Sequence, residues 1–237
     1  MNKKRTIVYI DGSNLYYGLL RDSTDKWLDL MLFVKSLLRD DHEIAMIKYF
    51  ASRVIDKSSD HHRSARQDKY FDALRNRPCI EVIEGYYREK KERMEAADQV
   101  CRECLQSPRP GYVSGFRTTE KLTDVNIATE MLKDAYEQRA EAYVLISGDS
   151  DLSRAVRIVR YSVKKPILVF NPQRGIFNEL RKYSTLYRNL EIGSTAGCRL
   201  PDSVFANAVR NLRFGAEGLT FRASLSGARR LTRGGGK

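Results

Sequence analysis

Three aspartates stand where apolar segments meet segments with helical patterns. Asp11 ends the apolar run TIVYI (6–10), and Asp149 follows the apolar run AYVLIS (142–147) within the stretch SGDSD. Asp124 opens the segment TDVNIATEMLKDAYEQ. Crowded carboxylates repel one another and raise each other's pKa, and a hard divalent cation removes that penalty. Because no histidine or cysteine accompanies them, ligation by oxygen alone favours Mg²⁺ or Mn²⁺ over zinc.

The simpler alternative is that these acids only shape turns. Asp11 precedes Gly12 in a pair typical of a turn, and Asp124 stands at the start of a helical segment, where the helix dipole favours a carboxylate. Asp149 or Ser150 is suited to capping the next helix. The acids act together only if the fold brings them to one place.

The order of the elements predicts such a fold. Apolar runs rich in β-forming residues alternate with helical patterns, at 6–10, 43–52, 79–87, 142–147 and 166–171, with a candidate sixth at 186–192. This alternation predicts an α/β fold with a mainly parallel sheet of five to six strands, covered by helices on both faces. Ligands of such sheets bind beyond the carboxyl ends of the strands, near the topological switch point. If the first strand and the strand at 142–147 are neighbours there, Asp11 and Asp149 face each other, and the helix leading into 142–147 can place Asp124 on the same rim.

Three stretches, in this order and spacing, resemble the signatures of the NYN domain, a branch of the PIN-like nucleases. They are IVYIDGSNLYYGL, KLTDVNIATEML and AYVLISGDSDLSRAVRIVR. The resemblance covers roughly residues 5–192, and LPDSVF (200–205) is similar to the segment that often trails LabA-like members. It implies a PIN-like Rossmannoid three-layer sandwich and a metal-dependent ribonuclease, acting as an endoribonuclease on RNA in the cytoplasm.

The resemblance also implies the site residues. Asp11, Asp124 and Asp149 would be the catalytic acids that bind Mg²⁺ or Mn²⁺, with Asn14 as their polar companion on the first helix. Asp151 would be a fourth acid or a group outside the ligand set that supports it. Asn14 is equally suited to capping that helix, and first-turn acids such as Asp151 are common without any function.

Ser147 is expected either to hydrogen-bond the carboxylates or to cap the next helix. The alternative function is a non-catalytic RNA-binding or regulatory scaffold with the same fold, and related folds often form homodimers. A dinucleotide-binding fold is disfavoured because no GxGxxG follows the first strand. A phosphatase that uses a strand-end Asp is disfavoured too, because position 13, where it needs a second Asp, is Ser13.

The charge of the chain indicates a polyanionic partner. The 237 residues include 42 Lys+Arg and 30 Asp+Glu, a net charge of +12, which favours nucleic acid first and an anionic membrane second. No apolar run approaches the ~20 residues that span a bilayer. The four cysteines are typical of reduced, cytosolic usage, so we expect a cytoplasmic protein without a membrane segment.

Two regions depart from the alternating pattern. Residues 1–192 are expected to form the nuclease domain, in which the charged stretch 88–121 is an insertion or a flexible loop. Residues 193–237 are expected to be a basic, largely flexible extension. Candidate contacts with RNA are Tyr86, Tyr87, Arg88 and Lys90 in the run GYYREKKER, and Arg229 and Arg230 in the extension.

The pair Cys101-x-x-Cys104 has two interpretations. A structural zinc ion needs two further ligands at comparable spacing, which the sequence does not offer clearly. The alternative, which we favour, is a loop with two free thiols.

Overall fold

The fold is built on one seven-stranded sheet. The computed structural model describes residues 2–23, 26–56, 60–95 and 112–201. Within them the strands are β1 (Lys4–Asp11), β2 (His42–Ser52), β3 (Ile80–Glu95), β4 (Tyr112–Lys121), β5 (Ala142–Ile146), β6 (Ile167–Asn171) and β7 (Leu186–Asn189). Their order across the sheet is β4-β3-β2-β1-β5-β6-β7. All neighbouring strands are parallel except β3 and β4.

Six α-helices flank the sheet in the described residues. They are α1 (Gly12–Leu15), α2 (Leu30–Leu37), α3 (Arg63–Arg75), α4 (Thr123–Tyr136), α5 (Ser153–Arg157) and α6 (Asn178–Tyr183). Helix α1 continues as a π-helical turn over Tyr16–Leu20, and α5 continues likewise over Ile158–Ser162. Short 3₁₀ turns occupy Ser150–Leu152 and Ile192–Thr195.

Alternation along β1 divides the core into two layers. Val8 and Ile10 pack into a cluster with residues of α1, α2 and α3, whereas Ile7 and Tyr9 pack on the other face with residues of α4, α5 and α6. Successive side chains of a strand point to opposite faces, so a sheet buried on both sides is apolar at every position. The predicted α/β three-layer arrangement is confirmed, with seven strands rather than five to six.

The region expected to be an insertion or a flexible loop contains the extra strand. Residues 88–95 extend β3 and pair antiparallel with β4, from Tyr86 opposite Lys121 to Glu95 opposite Tyr112. The sequence carries charged rather than apolar residues here, because the side chains of this part of β3 are mostly exposed. Residues 96–111, with Cys101 and Cys104, lie outside the described residues, as do residues 202–237 with Arg229 and Arg230.

A search of the described residues finds no helix that is both long enough and apolar enough to cross a membrane.

Candidate active site

The site lies at the switch point of the sheet, where β1 and β5 are parallel neighbours. Their register pairs Ile10 with Ile146, so the next residues, Asp11 and Ser147, leave the sheet side by side. Strands β2 and β3 continue the sheet to one side, and β6 and β7 continue it to the other. The carboxyl ends of two apolar strands therefore present polar side chains at one point.

Asp11 is the buried centre of this site. Its side chain is almost fully covered, with the residue 1% exposed, and it accepts four hydrogen bonds. Oδ1 accepts from the Ser13 hydroxyl at 3.1 Å and from the Asn14 backbone N–H at 3.0 Å. Oδ2 accepts from the Asn14 amide at 2.7 Å and from the Ser147 hydroxyl at 3.0 Å. Burial raises the pKa of Asp11, and these donors oppose the rise.

Asn14 ties the end of β1 to the loop after β5. While its amide nitrogen donates to Asp11, its side-chain oxygen accepts from the backbone N–H of Gly148 at 3.1 Å. Its own carbonyl accepts from the Gln173 amide at 2.8 Å, which adds the loop after β6. The sequence predicts that Asn14 caps the first helix, lines the site, or does both. Asp11 caps α1, and Asn14 supports Asp11.

Asp149 caps the turn that follows β5. One of its carboxylate oxygens accepts from the backbone N–H of Asp151 at 2.9 Å, and its backbone N–H donates to the Ser147 hydroxyl at 3.0 Å. Ser147 therefore bridges Asp11 and Asp149, which is the first of the two roles expected for it. The cap and site interpretations of Asp149 are compatible, because its second oxygen accepts no hydrogen bond from the described residues.

Gly148 allows the loop after β5 to pass close to β6. A Cβ atom at this position would overlap the side-chain oxygen of Asn171. That oxygen accepts from the Gln173 backbone N–H at 2.9 Å, so it has little freedom to move away. Only glycine fits this approach without displacing the loop that carries Asp149.

Asp124 joins the site from α4. It stands in the first turn of that helix, directly after Leu122 turns the chain through a left-handed conformation with φ of 74°. Partial desolvation and the charges of Asp149, Asp11, Glu120 and Asp151 together raise the pKa of Asp124 to about 6. Asp124, Asp149 and Asp11 come from three separate parts of the chain, and after desolvation the charges of Asp149 and Asp11 contribute to the raised pKa of Asp124.

Glu120 is a further acid that the sequence analysis missed. It is the last residue but one of β4, and its carboxylate accepts from the Ser13 hydroxyl at 3.1 Å and from the Thr123 hydroxyl at 2.6 Å. Glu120 lies four residues before Asp124, but the sequence does not predict β4, so the sequence alone does not place Glu120 beside the other acids. We call Asp11, Glu120, Asp124 and Asp149 the carboxylate rim.

The carboxylate rim offers the kind of ligand that a hard divalent cation prefers. It is made of oxygen atoms, and it carries the mutual repulsion that a cation relieves. Within the described residues, no three Asp, Glu, His or Cys side chains already form a ligand cluster. Asp124 and the second oxygen of Asp149 have no protein donors there. To bind a cation, Asp11 would have to lose one of its hydrogen-bond donors. The Ser13 hydroxyl is the candidate, because it can donate to Glu120 instead.

The predicted RNA-contacting residues lie on the strand β3. Tyr87 pairs with Glu120 in the ladder, on the side of the carboxylate rim, and Tyr86 pairs with Lys121 and is 51% exposed. Arg88 and Lys90 are exposed farther along the same strand. Their contact with nucleic acid stays a prediction.

The fold and the acids at its switch point define a nuclease-like α/β domain. The family model of the NYN domain matches residues 5–191, and the chain belongs to that family. NYN domains are part of the PIN-like superfamily.

Two individual proteins are similar to this chain. The 6-hydroxy-3-succinoylpyridine 3-monooxygenase HspA of Pseudomonas putida (strain DSM 28022 / S16) is 32% identical over 225 residues, which are 83% of this chain and 70% of that protein. The crystal structure of VPA0982, a protein of unknown function from Vibrio parahaemolyticus RIMD 2210633, has a TM-score of 0.50 at 17% identity. That match covers 80% of this chain and 94% of the other. The second likeness concerns the fold alone.

Proposed function

We propose that this NYN-domain protein is a ribonuclease that requires Mg²⁺ or Mn²⁺ and hydrolyses phosphodiester bonds at the carboxylate rim. One observation carries the proposal. The Ser147 hydroxyl donates to Asp11 and accepts from the backbone N–H of Asp149, so two acids that are distant in sequence lie together where β1 and β5 end. The net charge of +12 supports a polyanionic substrate. Because the site itself is acidic, such a substrate needs a cation in order to approach the carboxylates.

The residues of the site divide into two roles. Asp124 and Asp149, with oxygens not engaged by protein donors, would hold the cation, and Asp11 would complete the set after the Ser13 hydroxyl turns to Glu120. Asn14 and Ser147 keep the Asp11 carboxylate oriented and hold the loop of Asp149 against it. A bound divalent cation supplies activation of the attacking water and neutralises charge on the phosphate.

Cleavage of an end-labelled RNA under single-turnover conditions tests this function. We expect the wild type to cut with Mg²⁺ or Mn²⁺ and not with excess chelator. Asp149→Asn should lose at least about a hundredfold in rate, because it removes a ligand of the cation that would stabilise the charge of the transition state. Asp40→Asn is the matched control, because it makes the same chemical change on an exposed residue just before β2, at the opposite edge of the sheet. Equal cutting by the wild type and Asp149→Asn would contradict the proposal. Salt-sensitive RNA binding without any cutting would favour the scaffold alternative.

A second candidate function comes from the relative HspA. Its name describes monooxygenation of a pyridine that carries a succinoyl group, and the identity of 32% extends over 83% of this chain. Incubation of the protein with 6-hydroxy-3-succinoylpyridine, air and a reduced nicotinamide, followed by mass spectrometry, tests it. A product that has gained one oxygen atom from the air, shown with isotopically labelled oxygen gas and absent without the reductant, would favour this candidate.

A further inference from the structure

A cavity of about 240 Å³ opens beside the carboxylate rim. Gly12 and Ser13 of the first helix and Glu120 at the end of β4 form the side of the cavity that faces the rim. Ser13 donates to Asp11, so a molecule in this cavity lies next to the acids. An apolar cavity of about 150 Å³ accommodates benzene, so the space here suffices for a larger ring system.

Aromatic side chains form the inner wall of this cavity. Tyr49, Tyr70 and Phe71 are buried, and Trp27 is partly buried. Neighbouring rings meet edge to face, with centroids 6.1 Å apart for both Trp27–Tyr70 and Tyr49–Tyr70 and 6.2 Å for Tyr49–Phe71. Tyr70 is fixed by its hydroxyl, which donates to the Leu28 carbonyl at 2.9 Å. Such a wall is a rigid surface for another flat ring.

Further aromatic side chains stand at the mouth. Tyr16 and Tyr17 are 37% and 55% exposed, and their rings meet at 81° with centroids 5.3 Å apart. Tyr87 approaches from β3 and is half-buried. Exposed tyrosines around an aromatic cavity offer π-faces on which a planar ligand stacks.

Cationic side chains line the mouth on the side of α3. Lys26, Arg63 and Arg66 all border the cavity. Arg66 is paired with Asp60. Within the described part of the chain, the Arg63 guanidinium has no carboxylate within salt-bridge distance, and Lys26 has none either. Both cations therefore border the mouth without a salt bridge among the described residues, although Arg63 joins Arg66 in lowering the pKa of Asp60. Glu120 makes the opposite side of the mouth acidic.

We propose that this cavity binds a planar aromatic ring that carries an anionic group. The ring stacks within the aromatic wall, and the anion lies towards Arg63 and Lys26, away from Glu120. Two sources offer this chemistry, a nucleotide unit of an RNA strand and a free heteroaromatic acid. A nucleotide here would set the adjoining phosphodiester beside the carboxylate rim, so for that source the inference rests on the proposed function.

The single tryptophan of the chain makes the test direct, because Trp27 lies in the cavity wall. Quenching of its fluorescence, excited at 295 nm in the presence of chelator, is measured with two matched pairs. Adenosine 5′-monophosphate is compared with adenosine, and nicotinate with nicotinamide. We expect saturable quenching by at least one anionic member, at least tenfold tighter than by its neutral partner. The stronger anionic ligand identifies the source.

Two variants locate the binding. Arg63→Gln is expected to weaken the anionic ligand at least tenfold and to leave its neutral partner unchanged, whereas Arg39→Gln, at the opposite edge of the sheet, changes neither. Absence of quenching by all four compounds, or equal affinity within both pairs, would overturn the proposal. Quenching is measured without metal and without cleavage, so a failure of the nuclease hypothesis leaves this result intact, and the converse holds as well.

Discussion

The Ser147 hydroxyl donates to Oδ2 of Asp11 at 3.0 Å, and the hydroxyl oxygen of Ser147 accepts from the backbone N–H of Asp149 at 3.0 Å. One buried hydroxyl thus joins two acids that are separated by 138 positions in the sequence. This link depends on the parallel pairing of β1 with β5, since that pairing sets Ser147 beside Asp11.

Ser147→Ala removes this link and is expected to destabilise the fold. The buried Asp11 carboxylate loses one of its hydrogen bonds, and a hydrogen bond to a charged group contributes about 1.5–3 kcal/mol. The free energy of unfolding from urea titration measures the effect. Ser150→Ala, at an exposed position in the same loop, is the control and should change it by less than about 0.5 kcal/mol. Equal values for the two variants would contradict the assigned hydrogen bonds.

The ionisation of Asp124 reports directly on the proximity of the acids. Its pKa is raised to about 6 by desolvation and by the charges of Asp149 and Asp11. Because the folded protein holds this proton more tightly than the unfolded chain does, the contribution to stability is full at low pH and is lost as the pH rises through about 6. Carboxyl NMR titration of the metal-free protein should find this pKa, and Asp149→Asn should lower it. If the pKa of Asp124 is the same in the wild type and in Asp149→Asn, the two carboxyl groups are not neighbours.

The buried ion pair between Lys48 and helix α4 should contribute to the stability of the fold. Lys48 donates to Asp134 at 2.6 Å and to Glu130 at 2.7 Å, and the Tyr9 hydroxyl also donates to Asp134 at 2.7 Å. Breaking a buried pair by removing one partner costs about 3–5 kcal/mol. We expect Lys48→Met and Asp134→Leu each to lower the free energy of unfolding by that amount, and the double variant to lose less than their sum. Additive losses would mean that the two side chains do not interact.

The loop at Gly148 lies so close to Asn171 that adding one methyl group at position 148 should lower the activity. Gly148→Ala overlaps the Asn171 side chain and displaces the loop of Asp149, so the cleavage rate should fall at least about tenfold. Gly193→Ala is the matched control, because a Cβ there meets nothing within 4 Å. Both rates are compared at temperatures where circular dichroism shows the variants folded. An unchanged rate in Gly148→Ala would show that the position of this loop does not matter.

Metal binding should depend on the acids that have free oxygens. Titration of Mn²⁺ followed by electron paramagnetic resonance should show saturable binding to the wild type and at least about tenfold weaker binding to Asp124→Asn. Asp40→Asn should bind like the wild type. Because ligands must lose their protons to bind a metal, affinity should also fall as the pH drops below about 6. Identical binding curves for all three proteins would place the ion elsewhere.

The sequence was sufficient to predict the centre of the fold. The apolar runs that end at Asp11 and before Asp149 are long and clear, and a parallel sheet with helices on both faces follows from their alternation with helical patterns. The proximity of these two acids then follows from the switch point. The hydrogen bonds of Asn14 and Ser147 are local consequences of the same two strand ends.

The edge of the sheet and the cavity were not predictable in the same way. The ladder of β3 and β4 carries alternating charges, so its strands have no apolar face for a periodicity to detect, and Glu120 was missed with them. The aromatic cavity draws its residues from segments as far apart as Trp27, Tyr49 and Tyr87. Only the assembled fold brings those rings together.

The central claim is that the acids at the switch point carry out metal-dependent hydrolysis of RNA. The most direct measurement is the single-turnover cleavage rate of wild type and Asp124→Asn in Mn²⁺, with the same labelled RNA and with Asp40→Asn as control. We predict cleavage by the wild type and the control, and a rate at least about a hundredfold lower for Asp124→Asn. Cleavage by Asp124→Asn at the wild-type rate would contradict the account.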